Sequence, residues 1–289
     1  MTKIYALAAT VLIAFIFYFN STSKDEAKEG NETVRKELPA KRKPAGNTPA
    51  EKERKENGVR YEIPQMDKES QGVVIEHVGH TLSYNKEYNT PHWSAWQLTR
   101  EHTDGTVSRS SKFWADPAVE KAYRVEWYEY KESGYDRGHM CPAGDMKWSM
   151  EAMHDCFYMT NMCPQSSSLN SGAWRKLETK CREWANEEGC IYIVCGPIYD
   201  KGKKHEEIGI DHRIMVPERF FKAVLSLNKG KEWAAGFVYD NSDRSQSMKK
   251  AVKTVDEVEE MTGMDLFYQL DDALEDEIES RIQSTVLRL

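Results

Sequence analysis

Nowhere in this chain do two cysteines stand at Cys-x-x-Cys spacing, although six are present, at 141, 156, 163, 181, 190 and 195. Structural zinc sites usually draw on such short spacings, so a zinc-finger or zinc-ribbon class is argued against. An even set of cysteines permits disulfides if the chain is exported, and buried free thiols are the other reading. No apolar run reaches the roughly twenty residues of a standard spanning helix. The uncharged run Ile4 to Phe19 has sixteen and is preceded only by Lys3. The residues after it, Asn20-Ser21-Thr22-Ser23, offer no convincing small-x-small cleavage site, so residues 1–23 read as a signal peptide or signal anchor, with the anchor slightly favoured. Basic excess is missing too: the net charge is -7, where a polyphosphate-binding chain normally offers a basic footprint. That deficit is local. Val255 to Glu279 holds eleven Asp or Glu and no Lys or Arg, so -11 of the charge lies there and the remaining residues sum to +4.

What is present suffices for a substantial core. At 289 residues with 39% hydrophobic content, one large domain plus appendages is the natural reading. Lys24 to Asn57 carries ten Lys or Arg and eight Asp or Glu with almost no large apolar residue. Such a stretch cannot bury enough surface to offset its ordering entropy, so 24–57 is expected to be a disordered charged linker. The domain is then expected over 58–289, ending in acidic helices. An N-terminal export segment implies a periplasmic or extracellular protein, with membrane attachment if the segment is retained.

Within the domain, 72–84 reads as a β-branched strand and turn, and 91–100 as a second strand whose Trp93, Trp96 and Leu98 pack in the core. Further strands are expected over 192–195, 220–227 and 233–239, with Gly196-Pro197 ending the first of them. Trp174, Leu177, Cys181, Trp184 and Ala185 fall at spacings of three and four, which predicts a helix over 172–188. Val252, Val255, Val258 and Met261 do the same, Thr262-Gly263 stops that helix, and a further acidic helix begins at Asp271. Helices interspersed with a mainly antiparallel sheet give an α+β class. His77-x-x-His80 invites a metal reading, but two histidines without a third ligand are weak evidence.

The chemistry-bearing stretch is Asp136-Arg137-Gly138-His139. It places a carboxylate, a guanidinium, a glycine and an imidazole in four positions, the parts needed to attack a phosphodiester with water. A second cluster follows it: Thr160-Asn161-Met162-Cys163-Pro164-Gln165, Leu169-Asn170, Trp174 and Leu177-Glu178. Imidazole has an unperturbed pKa of about 6.5, so neutral His139 can accept a proton from water. Arg137 suits a phosphate oxygen, because guanidinium stays charged and pairs bidentately. Eight residues at about 100° each end only about 80° past two full turns, so Asn170 and Glu178 can project to one side of a helix. Taken singly, His139 is an ordinary core histidine, Asn170 a helix N-cap, Asn161 a turn residue and Glu178 a solvated helix position.

In order and spacing the two clusters resemble the DNA/RNA non-specific endonucleases, the ββα-metal nucleases. The resemblance implies that fold, with a mainly antiparallel central sheet flanked by helices. It also implies that His139 is the general base, that Asn170 is the direct protein ligand of a magnesium ion, with manganese an alternative, and that Glu178 holds a metal-bound water. Asn161 matches the other asparagine of the family's active site. An upstream arginine before an Asp-Pro pair points to Arg109, which stands about two residues farther from Asp116-Pro117 than the pattern expects, with Lys112 nearer. Gly144 stands where alanine is frequent. The activity implied is hydrolysis of DNA and RNA with little sequence preference, leaving 5'-phosphate and 3'-hydroxyl ends. The alternatives are a catalytically inactive nucleic-acid-binding receptor of the same fold and a phosphodiesterase acting on a small nucleotide.

Overall fold

The computed structural model describes residues 58–283 together with Leu287 and Arg288. The segments 1–23 and 24–57 lie outside the described residues. Seven strands form the central sheet: β1 (Val73–Glu76), β2 (Thr81–Asn85), β3 (Thr90–Thr99), β6 (Cys190–Ile198), β9 (Arg219–Ser226), β10 (Trp233–Asp240) and β11 (Val252–Lys253). Their spatial order is β1-β2-β3-β6-β9-β10-β11, and every neighbouring pair is antiparallel. Two small ribbons accompany it, β4 (Asp136–His139) with β5 (Met162–Gln165), and β7 (Glu207–Ile208) with β8 (Ile214–Met215). The helices are α1 (Arg100–Thr103), α2 (Met150–Asp155), α3 (Arg175–Glu188), α4 (Met248–Ala251), α5 (Val255–Thr262) and α6 (Asp272–Glu279). This is the α+β architecture expected of a ββα-metal nuclease, with β4, β5 and α3 as its ββα unit.

The central strands are buried on both faces, so their sequences run apolar almost without break. Trp93 and Trp96 stand three apart and therefore point to opposite faces. On one face Trp96, Leu98, Ile193, Cys195, Phe220, Val224, Trp233 and Phe237 pack against Trp174, Leu177, Cys181 and Trp184 of the α3 layer. On the other, Trp93, Ala95, Val194, Phe221, Ala223 and Leu225 pack against Val255, Val258 and Ile278 of α5 and α6. Gly236 of β10 shows how closely the second layer sits: a Cβ there would lie 2.4 Å from the Val258 side chain.

Three boundaries differ from the sequence expectation. β6 continues through Gly196-Pro197 to Ile198. Its ladder with β3 ends at Cys195, so the missing N–H of Pro197 costs no bond on that side. Val252 belongs to β11 rather than to the helix, which starts at Val255 behind the Thr254–Glu257 capping box. The helix predicted from 172 is preceded by a π-helical turn over Leu169–Trp174 before the α-helix proper begins at Arg175. Gly263, in the left-handed conformation at φ 72°, ends α5 as expected. All six cysteines are free, five of them buried, so they pack as small apolar groups. Among the described residues no helix is long and apolar enough to cross a membrane.

Candidate active site

β4 and β5 carry the two sequence clusters and pair them directly, with Gly138 opposite Cys163 and His139 opposite Met162. Gly138 is required here for space: a Cβ would lie 2.6 Å from the Cβ of Gln165. His139 ends β4 almost fully buried, and its Nε2 has no hydrogen-bond partner among the described residues. Its ring packs edge-on to Phe157 at 4.6 Å and tilted against Phe113 at 5.7 Å between centroids. Burial first, then the Arg109 guanidinium, His80 and Arg137, push the imidazole down to about 3. The imidazole is therefore neutral across the physiological range, with a lower pKa than free imidazole has.

Those two arginines are held by the same aromatic pair. Arg109 lies 5.0 Å over the Phe157 ring and Arg137 4.6 Å over that of Phe113, which places two permanent cations beside His139. Arg137 Nη1 also donates to the carbonyl of Trp127 at 3.0 Å. Arg109, itself exposed, thus joins the site through Phe157 and His139 despite its displaced position in sequence. Asp116 is structural. It accepts from Thr160 Oγ1 at 2.6 Å and the Ala118 N–H at 2.8 Å, and bonds His77 Nε2 at 2.9 Å. That bond commits His77, and the His77-x-x-His80 pair falls in no three-ligand cluster among the described residues.

Asn161 is fully buried with all of its hydrogen-bonding capacity used. Its Nδ2 donates to the carbonyls of Cys141 and Cys156, each at 2.9 Å, and its Oδ1 accepts from the Cys141 N–H and Ser94 Oγ. It fastens the segment that follows His139 to the sheet, and its four hydrogen bonds leave no donor or acceptor position for a substrate.

Asn170 sits in the π-helical turn. Its Nδ2 donates to Asp136 Oδ2 at 2.9 Å, while Asp136 Oδ1 accepts from Ser167 Oγ at 2.8 Å. An ionised carboxylate only accepts, so the NH2 end of Asn170 must face it and Oδ1 points the other way. Asp136 is thereby more than turn scaffold: it sets which end of the Asn170 amide is presented. The widened i→i+5 turn matters as well, since a π turn holds about one residue more than the 3.6 of an α turn. One turn of each type spans about eight residues, which brings Asn170 and Glu178 closer to the same azimuth than a uniform α-helix does.

Glu178 is half-buried. Burial raises its carboxyl to about 7, against the pull of Lys222. Lys222 lies on β9, fully buried, with Nζ 4.7 Å from the Trp96 ring centroid and 4.6 Å from that of Trp174. Burial pulls this ammonium down, and the neighbouring Glu178 and Asp145 carboxylates pull it up. Asp145 in turn accepts from Arg182 Nη1 at 2.8 Å and Trp96 Nε1 at 3.1 Å. Lys222, Asp145 and Arg182 thus act electrostatically on Glu178, and among these four groups the ion pair in the described residues is Asp145–Arg182. Gly144 makes room for the last of these, since a Cβ there would lie 2.7 Å from Arg182 Nη1. Lys222 and Asp145 were not picked out from sequence. The available signal was a lysine at an inward position of the run Phe220-Phe221-Lys222-Ala223-Val224, a register that otherwise holds core residues.

The donor set fits a hard divalent cation. Asn170 Oδ1 accepts no hydrogen bond among the described residues, and the Glu178 carboxylate eight residues on adds a second hard oxygen donor. Across the rest of α3, a groove of 570 Å³ is lined by Arg175, Lys176, Thr179, Lys180, Glu183 and Met248, a mostly basic surface.

A family model described as DNA/RNA non-specific endonuclease matches residues 60–273. Among curated proteins, the mitochondrial nuclease EXOG of Xenopus laevis is 34% identical over 210 residues, covering 68% of this chain and 58% of that protein. Endonuclease G of Caenorhabditis elegans is 31% identical, with 66% of each chain covered. A nuclease of Nostoc is 31% identical and covers 71% of this chain and 77% of its own length. The chain spans between 50% and 58% of the length of the EXOG relatives from frog, fish and mouse. Among solved structures, EndoG in its complex with EndoGI superposes with a TM-score of 0.65 at 30% identity, covering 70% of this chain and 89% of EndoG's.

Proposed function

The chain belongs to the DNA/RNA non-specific endonuclease family, and from that premise we propose that it hydrolyses internal phosphodiester bonds of DNA and RNA with little sequence preference, in a metal-dependent reaction. The observation that carries this reading is the division of β4: Asp136 at one end turns the Asn170 oxygen outward, and His139 at the other holds an uncommitted, neutral imidazole. His139 Nε2 takes the proton of the attacking water. Arg109 and Arg137, fixed over Phe157 and Phe113, meet the phosphate oxygens with charge that needs no reorganisation. Asn170 and Glu178 are the residues that would hold a divalent ion, through the free Asn170 amide oxygen and the Glu178 carboxylate. When bound, that ion neutralises the phosphate and stabilises the leaving 3' oxygen. Magnesium is the proposed ion, because one amide oxygen plus water suits its preference for keeping waters, with manganese the competitor. The Arg175, Lys176 and Lys180 side chains of α3 supply positive charge that suits a polyanionic substrate.

Incubation of the protein with supercoiled plasmid and with RNA, in magnesium, manganese or chelator, tests the proposal. Wild type should cut both polymers with either metal and neither in chelator, and His139→Ala should lose about 10²–10⁴-fold in rate. Persistent cutting by His139→Ala would sink the assigned base. Binding without cutting would favour the receptor reading, and cleavage of model diesters with intact plasmid would favour the small-nucleotide reading. The proposal extends to place: residues 1–23 direct export or anchoring, which keeps such an activity from the cell's own chromosome. Determining the mature N-terminus and the fractionation of the protein tests that part.

A further inference from the structure

The acidic segment excluded from the nuclease chemistry contains a cluster of its own. Asp256 and Glu259, three apart on one face of α5, meet Glu279 at the end of α6, and one carboxylate oxygen from each lies within 4.8 Å of the others. Three observations make this more than a solvated acidic face. Glu279 is 2% exposed, and among the described residues its Oε1 has no hydrogen-bond partner. The residue before it, Ile278, belongs to the apolar layer behind the sheet with Val255 and Val258, so the helix seam that carries the carboxylates is anchored there. Between Val255 and Glu279 there is no Lys or Arg, and among the described residues none of the three carboxylates takes part in an ion pair. Glu259 Oε1 accepts from the Leu266 N–H at 2.6 Å, which fixes that side chain and leaves its second oxygen to the cluster.

A buried carboxylate with an unpaired oxygen is costly, and two more carboxylates beside it add repulsion. We infer that Asp256, Glu259 and Glu279 form a calcium site that clamps α5 to α6, separate from the catalytic centre. The chemistry selects the ion. An all-oxygen set of three carboxylates excludes the metals that prefer nitrogen or sulfur. Calcium takes such ligands at about 2.3–2.6 Å in flexible geometry, so opposite ligand oxygens stand up to about 5 Å apart, which matches this cluster with little side-chain movement. Magnesium demands a tighter octahedron at about 2.1 Å and prefers to keep its waters. A proton is the rival means of relief, since burial and the neighbouring Glu259, Glu275, Asp256 and Asp265 carboxylates raise Glu279 to about 9.

The test uses metal-free full-length protein titrated with calcium chloride by calorimetry, with thermal unfolding followed in parallel. Asn170→Ala should bind one calcium per chain and the wild type at least one, and both should gain at least about 5 °C in Tm at a hundredfold excess over Kd. Asp256→Asn, at an exposed position that leaves folding intact, and the near-isosteric Glu279→Gln should each weaken calcium binding at least tenfold. Both should still cut plasmid at the wild-type rate. The inference is overturned if calcium binding disappears in Asn170→Ala and persists in Asp256→Asn and Glu279→Gln, because the ion then sits in the catalytic site. It is equally overturned if no saturable binding is found, or if Glu279→Gln raises Tm while the wild type ignores calcium, the signature of a protonated carboxyl.

Discussion

Asp136→Asn isolates the orientation of the Asn170 amide, the proposed metal ligand. In the native site Asp136 receives the Asn170 NH2 group at 2.9 Å and the Ser167 hydroxyl at 2.8 Å. Asparagine at 136 keeps the shape but replaces one acceptor oxygen with a donor, so the Asn170 amide loses the charge that dictates its direction and populates both orientations. A hydrogen bond to a charged acceptor contributes about 1.5–3 kcal/mol. Asn170 is half-buried, so the lower end applies, and about 1.5 kcal/mol corresponds to about tenfold in an equilibrium constant. That agrees with the roughly 10–100-fold loss in metal affinity expected when an outer partner of a ligand is removed. The expected result is therefore a half-saturating magnesium concentration about tenfold higher, with Tm within about 2 °C of wild type because only surface-accessible groups change.

The assay is plasmid cleavage as a function of magnesium, repeated in an Asn170→Ala background as a double-mutant cycle. If Asp136 acts through Asn170, the second substitution should add almost nothing once Asn170 is gone. The reasoning is refuted if Asp136→Asn lowers the maximal rate at unchanged magnesium dependence, or if its effect is equally large without Asn170. Either outcome would return Asp136 to a scaffold role in the turn.

Three further perturbations test the rest of the site. With His139 held down to about 3 and Glu178 raised to about 7, the acid limb of the pH–rate profile should follow the carboxyl, with activity present above its pKa and lost below. Lys222→Met removes a charge that favours ionised Glu178, so the limb should move to higher pH, and an unmoved limb would show that Lys222 serves packing alone. Asn161→Ala strands four buried partners, at about 1 kcal/mol or more each, so Tm should fall by about 10 °C. Activity lost at unchanged Tm would instead make Asn161 a substrate contact. Gly138→Ala drives a methyl into the Cβ of Gln165 and should cost about 1–3 kcal/mol in urea unfolding with loss of cleavage. An unchanged midpoint would mean that β4 shifts freely.

The legible part of this molecule is the part written in local periodicity. Alternation and three-four spacing located the central strands and the apolar stripe of α3, and motif order located His139, Asn170 and Glu178. What stayed hidden depends on contacts between elements distant in sequence. Arg109 sits at an unpromising distance from Asp116, yet the Phe157 ring brings it to His139. Asn161 reads as a site residue until its four hydrogen bonds are traced to Ser94, Cys141 and Cys156. The Asn170–Glu178 geometry was legible as a spacing, but the π-helical turn that aligns the two follows from how Leu169 and Trp174 are packed against the core rather than from propensity.

Charge shows the same division between ledger and topology. A net -7 argues against a polyanionic substrate only if the charge is spread evenly. The apolar residues of α5 and α6 pack on the sheet face that carries Trp93, Ala95 and Phe221, while those of α3 pack on the face that carries Trp96 and Phe220. Adjacent strand residues point to opposite faces, so the sheet itself separates the two layers. With about 10 Å per packed layer the acidic helices stand on the order of 20 Å from the catalytic layer, more than two Debye lengths of about 8 Å at physiological salt. A polyanion approaching His139 therefore meets Arg109, Arg137 and the Arg175–Lys180 groove before it senses the acidic segment, and raising ionic strength should weaken substrate binding as for a basic site despite the acidic total.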